Sequence, residues 1–395
     1  MKPNEIKQDN TIYPSFVVFS DDWGEHPSSS QHLFKHIALN HKVLWVNTIG
    51  MRNPKLTWSD FNKIIKKIKK MFGSLNVQSQ QQSGNIFLHV CQPFMLPFNW
   101  STLVRKFNKY SVQQAIQRNN CHLDLTNSVF VATVPNACDY IDILVNSKAV
   151  YYCVDDFTQW PGLNHRLVRE MEAQLIERSE ILVATSHKLY HKLHTYGKPT
   201  YLLTHGVDRA LFLNNPSTEH TCLSNIQKPR IGYFGLIDER SDQNLLVAIA
   251  SSMPDFSFVM TGPVVADVSR LKACSNIYFT GPVAYTDLPS LVKGLDILFI
   301  PYLVNEFTDS ISPLKLKEYL MTGKPVVTTP LAEAKSFSQY LMTASSVEEW
   351  KITLMKSLKQ AQSSKFELII KAMEGDLWEN KAKIFLDICV QENVK

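Results

Sequence analysis

Short runs of hydrophobic residues, bounded by polar or turn residues, alternate along this chain with longer amphipathic stretches. Runs at 15–20, 42–47, 85–90, 129–134, 149–154 and 181–186 read as strands of a first half. Runs at 230–235, 256–262, 276–281, 296–301 and 325–329 read as strands of a second. Most are apolar at consecutive rather than alternating positions, the pattern of strands buried on both faces. Helical stretches such as 31–39 and 170–178 lie between them. The alternation predicts an α/β chain with parallel, doubly wound sheets. The polar segment 214–228 is the best linker, and 375–390 reads as a closing amphipathic helix.

The most informative unit runs from Asp296 to Leu331. An apolar strand leads into a loop. Ser312 is a candidate N-cap with Pro313 at the first helical position, and Gly323 and Pro325 close the helix. Val326 and Val327 then begin a β-branched strand. Such a unit sets a helix N-terminus at the carboxyl edge of a parallel sheet, where open α/β sheets bind ligands and where phosphate is favoured. Lys315 and Glu318, three apart, share one helix face. A cation beside a phosphate site with a carboxylate one turn deeper suits a nucleotide diphosphate and its ribose hydroxyls.

This segment resembles the donor-site motif of glycosyltransferase family 4, enzymes of the GT-B fold. That motif has two Glu separated by seven residues and ends in Gly-Lys-Pro-Val-Val. Glu318 and the run from Gly323 match its second half, while Ser310 stands at the first Glu. The arrangement of Ser312, Lys315 and Glu318 is similar to members acting on bacterial polysaccharide precursors. The resemblance implies two Rossmann-like domains facing a cleft: an acceptor side at 1–213, a donor side at 214–375, and a C-terminal helix, 376–395, crossing back to the first domain. It also implies transfer of a sugar, with retention, from a nucleotide-diphosphate sugar to a saccharide or lipid-linked acceptor in cell-surface polysaccharide synthesis. A sugar-nucleotide epimerase and a non-catalytic partner subunit, the latter suggested by Ser310, remain as alternatives.

Further residues follow from the same likeness. Gly235 permits close backbone approach at the first turn of the donor domain, and Arg240 is placed to grip the diphosphate, unless it pairs with Asp238 or Glu239. Gly262 ends a second donor-side strand, and main-chain groups of Val283 and Ala284 are placed to read the base. At 204–208 the family's Pro-Asn-Gly-Val-Asp signature reads Thr-His-Gly-Val-Asp, with His205 replacing Asn. Across the cleft, Asp155 or Asp156 is the candidate to orient or deprotonate an acceptor hydroxyl; adjacent residues of an extended chain point opposite ways, so one of the two faces the cleft. Trp23, Ser28 and Ser29 line the acceptor side in this reading. No metal and no cofactor beyond the donor substrate is implied.

Composition narrows the field. A net charge of +5 is too mild to call for nucleic acid, and no GxGxxG follows either first strand, which weighs against a dinucleotide-dependent dehydrogenase. Seven scattered cysteines, none in C-x-x-C, suggest neither zinc nor a disulfide framework. The polar start and the lack of an apolar run near ~20 residues point to a cytoplasmic protein. At 60–72, apolar residues at helical spacing are interleaved with Lys63, Lys66, Lys67, Lys69 and Lys70. The stripe fits a helix lying on an anionic membrane, at the inner face of the plasma membrane, or a domain helix with solvated lysines.

Overall fold

The computed structural model describes residues 14–24, 28–51, 87–119, 128–144, 147–160, 162–311, 314–359 and 363–390. Two sheets form, and every described pairing between strands is parallel. The first contains β1 Ser15–Ser20, β2 Val43–Asn47, β3 Leu88–Cys91, β4 Ser128–Ala132, β5 Lys148–Cys153, β6 Ile181–Ala184 and β7 Thr200–Leu202, ordered β3-β2-β1-β4-β5-β6-β7. The second contains β8 Arg230–Phe234, β9 Ser257–Thr261, β10 Ile277–Gly281, β11 Ile297–Ile300, β12 Val326–Thr328 and β13 Met342–Thr343, ordered β10-β9-β8-β11-β12-β13. In each sheet the strand order reverses beside the first strand, so the β1/β4 and β8/β11 crevices are the switch points where such sheets bind ligands. The two edge strands β7 and β13 were not among the expected ones, and β3 begins three residues later than the sequence pattern predicts.

The central strands are buried along their whole length, which explains their unbroken apolar runs. One core lies under the second sheet and two flank the first. The closing helix Trp378–Val390 packs on Ser29–Ile37, and Phe385 joins Phe16, Phe34 and Tyr152 in a first-domain core. The connection 214–228 is not a loose tether. The buried Arg230 guanidinium donates to the carbonyls of Leu223, Ile226 and Gly294 and pairs with Glu219 at 2.9 Å, fastening that segment to the second domain.

Contacts also cross between the domains. Lys317 and Lys381 both reach Asp376, at 3.0 and 2.6 Å, and both reach the Thr204 hydroxyl at 3.0 Å. Lys317 further donates to the His205 carbonyl at 2.7 Å. Ser186 donates to the Ser310 carbonyl, and the Trp160 ring meets Phe307 edge-on at 6.1 Å. The expected N-cap Ser312 and the lysine-rich stretch 60–72 lie outside the described residues.

Candidate active site

The expected donor side is built around two glycines. Gly235 follows β8 with φ +130 and Gly262 follows β9 with φ +140, conformations that L side chains rarely adopt. A methyl at Gly235 would collide with the side chain of Lys315, and one at Gly262 with the carbonyl of Gly235. Close approach of two loops and a lysine is therefore what both positions require. Lys315, in the first turn of the helix Leu314–Met321, runs across Gly235 with its ammonium 5.6 Å from the centre of the Tyr233 ring. One turn further in, Glu318 is 6% exposed and accepts from the Tyr285 hydroxyl at 3.3 Å. Burial pushes its carboxyl up to about 7, against the opposing pull of Lys315 and the Tyr285 hydroxyl.

Arg240 is held rather than free. Its Nε lies 2.9 Å from both Asp238 oxygens, a terminal nitrogen lies 2.7 Å from Oδ2, and the guanidinium sits over the Tyr302 ring at 5.4 Å. The pairing fixes the fork's direction at the domain boundary. Val283 is half-buried and Ala284 exposed at the end of β10, and the Ala284 carbonyl already accepts from the Asp287 amide. Any hydrogen bonding to a ligand at that loop is left to amides and to the carbonyl's second lone pair.

On the facing domain the two carboxylates after β5 part company. Asp156 is 8% exposed; it accepts from the Thr158 amide and hydroxyl and pairs with Lys192 at 3.0 Å. Lys192 also pairs with Glu172, which accepts from Tyr151. Burial opposes ionisation of Asp156, but Thr158 and Lys192 outweigh it and hold its carboxyl below the usual range. Asp156 thus belongs to a buried network inside the first domain, which corrects its candidacy as a catalytic group. Asp155 instead lines a cavity and feels the charge of Arg240 across the cleft. Burial first, then Asp21, Asp156 and Asp238, raise it to about 7 against the attraction of Arg240.

That cavity has a volume of about 450 Å³ and opens at the carboxyl ends of β1, β2, β4 and β5. Ser28 and Ser29 line it; the Ser28 hydroxyl also caps the helix Ser29–Ile37 at 3.4 Å from the Gln31 amide. Trp23 is not part of the lining. It packs edge-on against Trp45 at 4.8 Å and donates its amide to Asn47, so its expected place as an acceptor platform gives way to a packing role. Two further lining groups carry unmet polar atoms; the sequence marked His205 only as a departure from a motif, and Trp160 not at all. His205 is 5% exposed with Nδ1 unpartnered, and the Trp160 indole nitrogen is likewise buried without a partner. Burial, with Lys317 and Lys381 nearby, lowers His205 to about 3 and keeps it neutral. Among the described residues, no group of three or more His, Cys, Asp or Glu is arranged to hold a metal ion, and no helix is long and apolar enough to cross a membrane.

Residues 228–359 match the family described as Glycosyl transferases group 1. TuaH of Bacillus subtilis (strain 168), named as a candidate teichuronic acid biosynthesis glycosyltransferase, is 29% identical over 175 residues. That match covers 42% of this chain and 44% of TuaH, so the chain spans less than half the length of this curated relative. Among solved structures, HepE of Anabaena in complex with UDP and glucose aligns over 95% of both chains at 14% identity, TM-score 0.57. Sucrose-phosphate synthase from Thermosynechococcus elongatus aligns over 94% of this chain and 97% of its own at 11% identity, TM-score 0.67. At these identities the structures speak for the fold, which is GT-B.

Proposed function

We propose that this chain, a GT-B glycosyltransferase of group 1, moves a sugar with retention from a nucleotide-diphosphate sugar to a saccharide or lipid-linked saccharide in cell-surface polysaccharide synthesis. The observation that carries the reading is the facing pair of half-sites. Lys315 and Glu318 present a cation and a buried carboxyl beside Gly235, while Asp155 looks across at Arg240 from an open cavity. The donor diphosphate would lie along Gly235 under Lys315, with the Arg240 fork beside it and Glu318 toward the ribose. Charge developing on the leaving diphosphate then meets preorganised cations. The acceptor hydroxyl would enter from the cavity, where Asp155 accepts its proton; a carboxyl raised to about 7 is a base matched to neutral pH. The cytoplasmic face of a membrane is the corresponding workplace for a lipid-linked acceptor.

Ser310 gives the non-catalytic alternative a structural basis. The position carrying the family's first Glu is 1% exposed and spends its carbonyl on Ser186, in contact between the domains. One experiment separates the readings. The protein is incubated with a panel of UDP-, GDP- and ADP-sugars, and nucleotide release is followed with and without an extract of lipid-linked saccharides. Release that depends on the extract, with mass gain in the saccharide fraction, is expected. Interconversion of the nucleotide-sugar without extract would identify an epimerase, and donor binding with no turnover a partner subunit.

A further inference from the structure

Among the described residues, the densest exposed apolar surface is not in the cleft. It lies on the helix Thr102–Arg118 and the turn before it. Trp100, Leu103, Phe107 and Tyr110 are 66, 79, 42 and 61% exposed, and Phe98 adds to them at 37%. Four of the six strongly exposed aromatic residues among the described ones thus fall between 98 and 110, a concentration that marks an interaction surface. Leu103, Phe107 and Tyr110 are spaced four and three apart, on one helix face, while Asn108, Val112 and Ile116 turn into the domain. Phe107 packs edge-on against Phe94 at 6.1 Å and Phe98 against Trp100 at 6.4 Å.

Charge indicates what covers it. The helix carries Arg105, Lys106, Lys109 and Arg118 and no acidic residue. Arg105 and Lys109 are answered by Asp139 and Asp142, whereas Lys106 and Arg118 form no ion pair among the described residues. Exposed Trp and Tyr rings beside unneutralised cations are the chemistry of the headgroup layer of an anionic bilayer. The patch is also placed to matter. The Asn99 side chain donates to the Gly50 carbonyl at 3.3 Å, and Gly50 and Met51 line the cavity that holds Asp155. The apolar face therefore begins at the rim of the acceptor cavity.

We infer that the face formed by Trp100, Leu103, Phe107 and Tyr110 lies on an anionic lipid surface, and that the cavity at its edge takes a sugar carried by a lipid of that same surface. The second half of this statement rests on the acceptor reading above; the first does not. The full chain is floated with phosphatidylcholine vesicles, with and without phosphatidylglycerol. The wild type should float with the anionic vesicles, and Leu103→Glu/Phe107→Glu should bind them at least about tenfold less. Ile352→Glu/Met355→Glu, at exposed apolar positions of the other domain (59 and 46%), should float like wild type. All three should share one melting temperature and one affinity for the nucleotide-sugar that the panel above selects. Undiminished flotation of the first variant overturns the proposal. So does wild-type self-association on gel filtration that the same two substitutions abolish, since the occupant is then a second copy. Patch-dependent flotation without any sugar transfer would overturn the functional reading and leave the surface assignment standing.

Discussion

The two sides of the cleft are built on opposite principles. The donor side is crowded: Gly235 and Gly262 are bare because a lysine and a neighbouring carbonyl occupy the space where their side chains would go. The proposed acceptor side is open, a cavity of about 450 Å³ with buried nitrogens of His205 and Trp160 left without partners. A crowded site fixes one ligand, in the proposed reading the diphosphate of the donor. An open one with unmet hydrogen-bonding capacity leaves orientation and choice to the ligand's own polar groups.

The largest effect that tests this contrast is on Asp155. Asp155→Asn keeps shape and hydrogen bonding but cannot take a proton, and turnover should fall about 10²–10⁴-fold with donor affinity unchanged. Its neighbour provides the control. Asp156→Asn leaves Lys192 and Thr158 poorly answered within the first domain, so it should lower the melting temperature, by the equivalent of about 1–3 kcal/mol, while much of the turnover per folded molecule survives. Steady-state kinetics beside thermal melts reads both. Equal kinetic losses at the two positions would erase the distinction between a cleft carboxylate and a buried one.

Next in size is the donor side. Lys315→Ala should weaken nucleotide-diphosphate-sugar binding by about 1.5–3 kcal/mol, the scale of a charge-assisted hydrogen bond. It also removes the atoms that forbid a side chain at Gly235, which remains constrained by its φ of +130. Titration calorimetry with the accepted donor checks it. Unchanged affinity would mean that the crowding around Gly235 is packing alone and that the diphosphate lies elsewhere.

The same contrast explains what the sequence disclosed. The buried central strands were legible because two covered faces demand unbroken apolar runs, and the placing of Lys315 and Glu318 on one helix because a short spacing is local information. The edge strands β7 and β13, of three and two residues, are too short to leave a pattern. The fates of Asp155 and Asp156 depended on Lys192, 36 residues beyond Asp156 in the chain, and the packing of Trp23 on Trp45 needed a neighbouring strand. The orphaned nitrogen of His205 is likewise a tertiary fact: the residue stood out as a departure from a motif, but only the fold set it against a cavity between Lys317 and Asp155. Local chemistry was readable, and partners distant along the chain were not.

The smallest predicted effect is on the pH dependence of stability, and it joins the two sides. Asp155 and Glu318 are both raised to about 7, each chiefly by burial. In the unfolded chain such carboxyls ionise near pH ~4. Between about pH 4 and 7 the folded state therefore binds more protons than the unfolded one, and stability falls as pH rises through that window, then levels off. Each group contributes a slope of at most about 1.4 kcal/mol per pH unit, less for Asp155 because it is only half-buried. Asp155→Asn and Glu318→Gln should each flatten the slope, measured as denaturant midpoint against pH. Glu318→Gln should flatten it more, since Glu318 lies deeper. Activity should run the other way, rising through pH 7 as Asp155 ionises, and Asp155→Asn should lose that rise. If the stability slope is steep in the double variant as well, the strain of buried carboxyls resides elsewhere, and neither side of the cleft is held protonated in the resting enzyme.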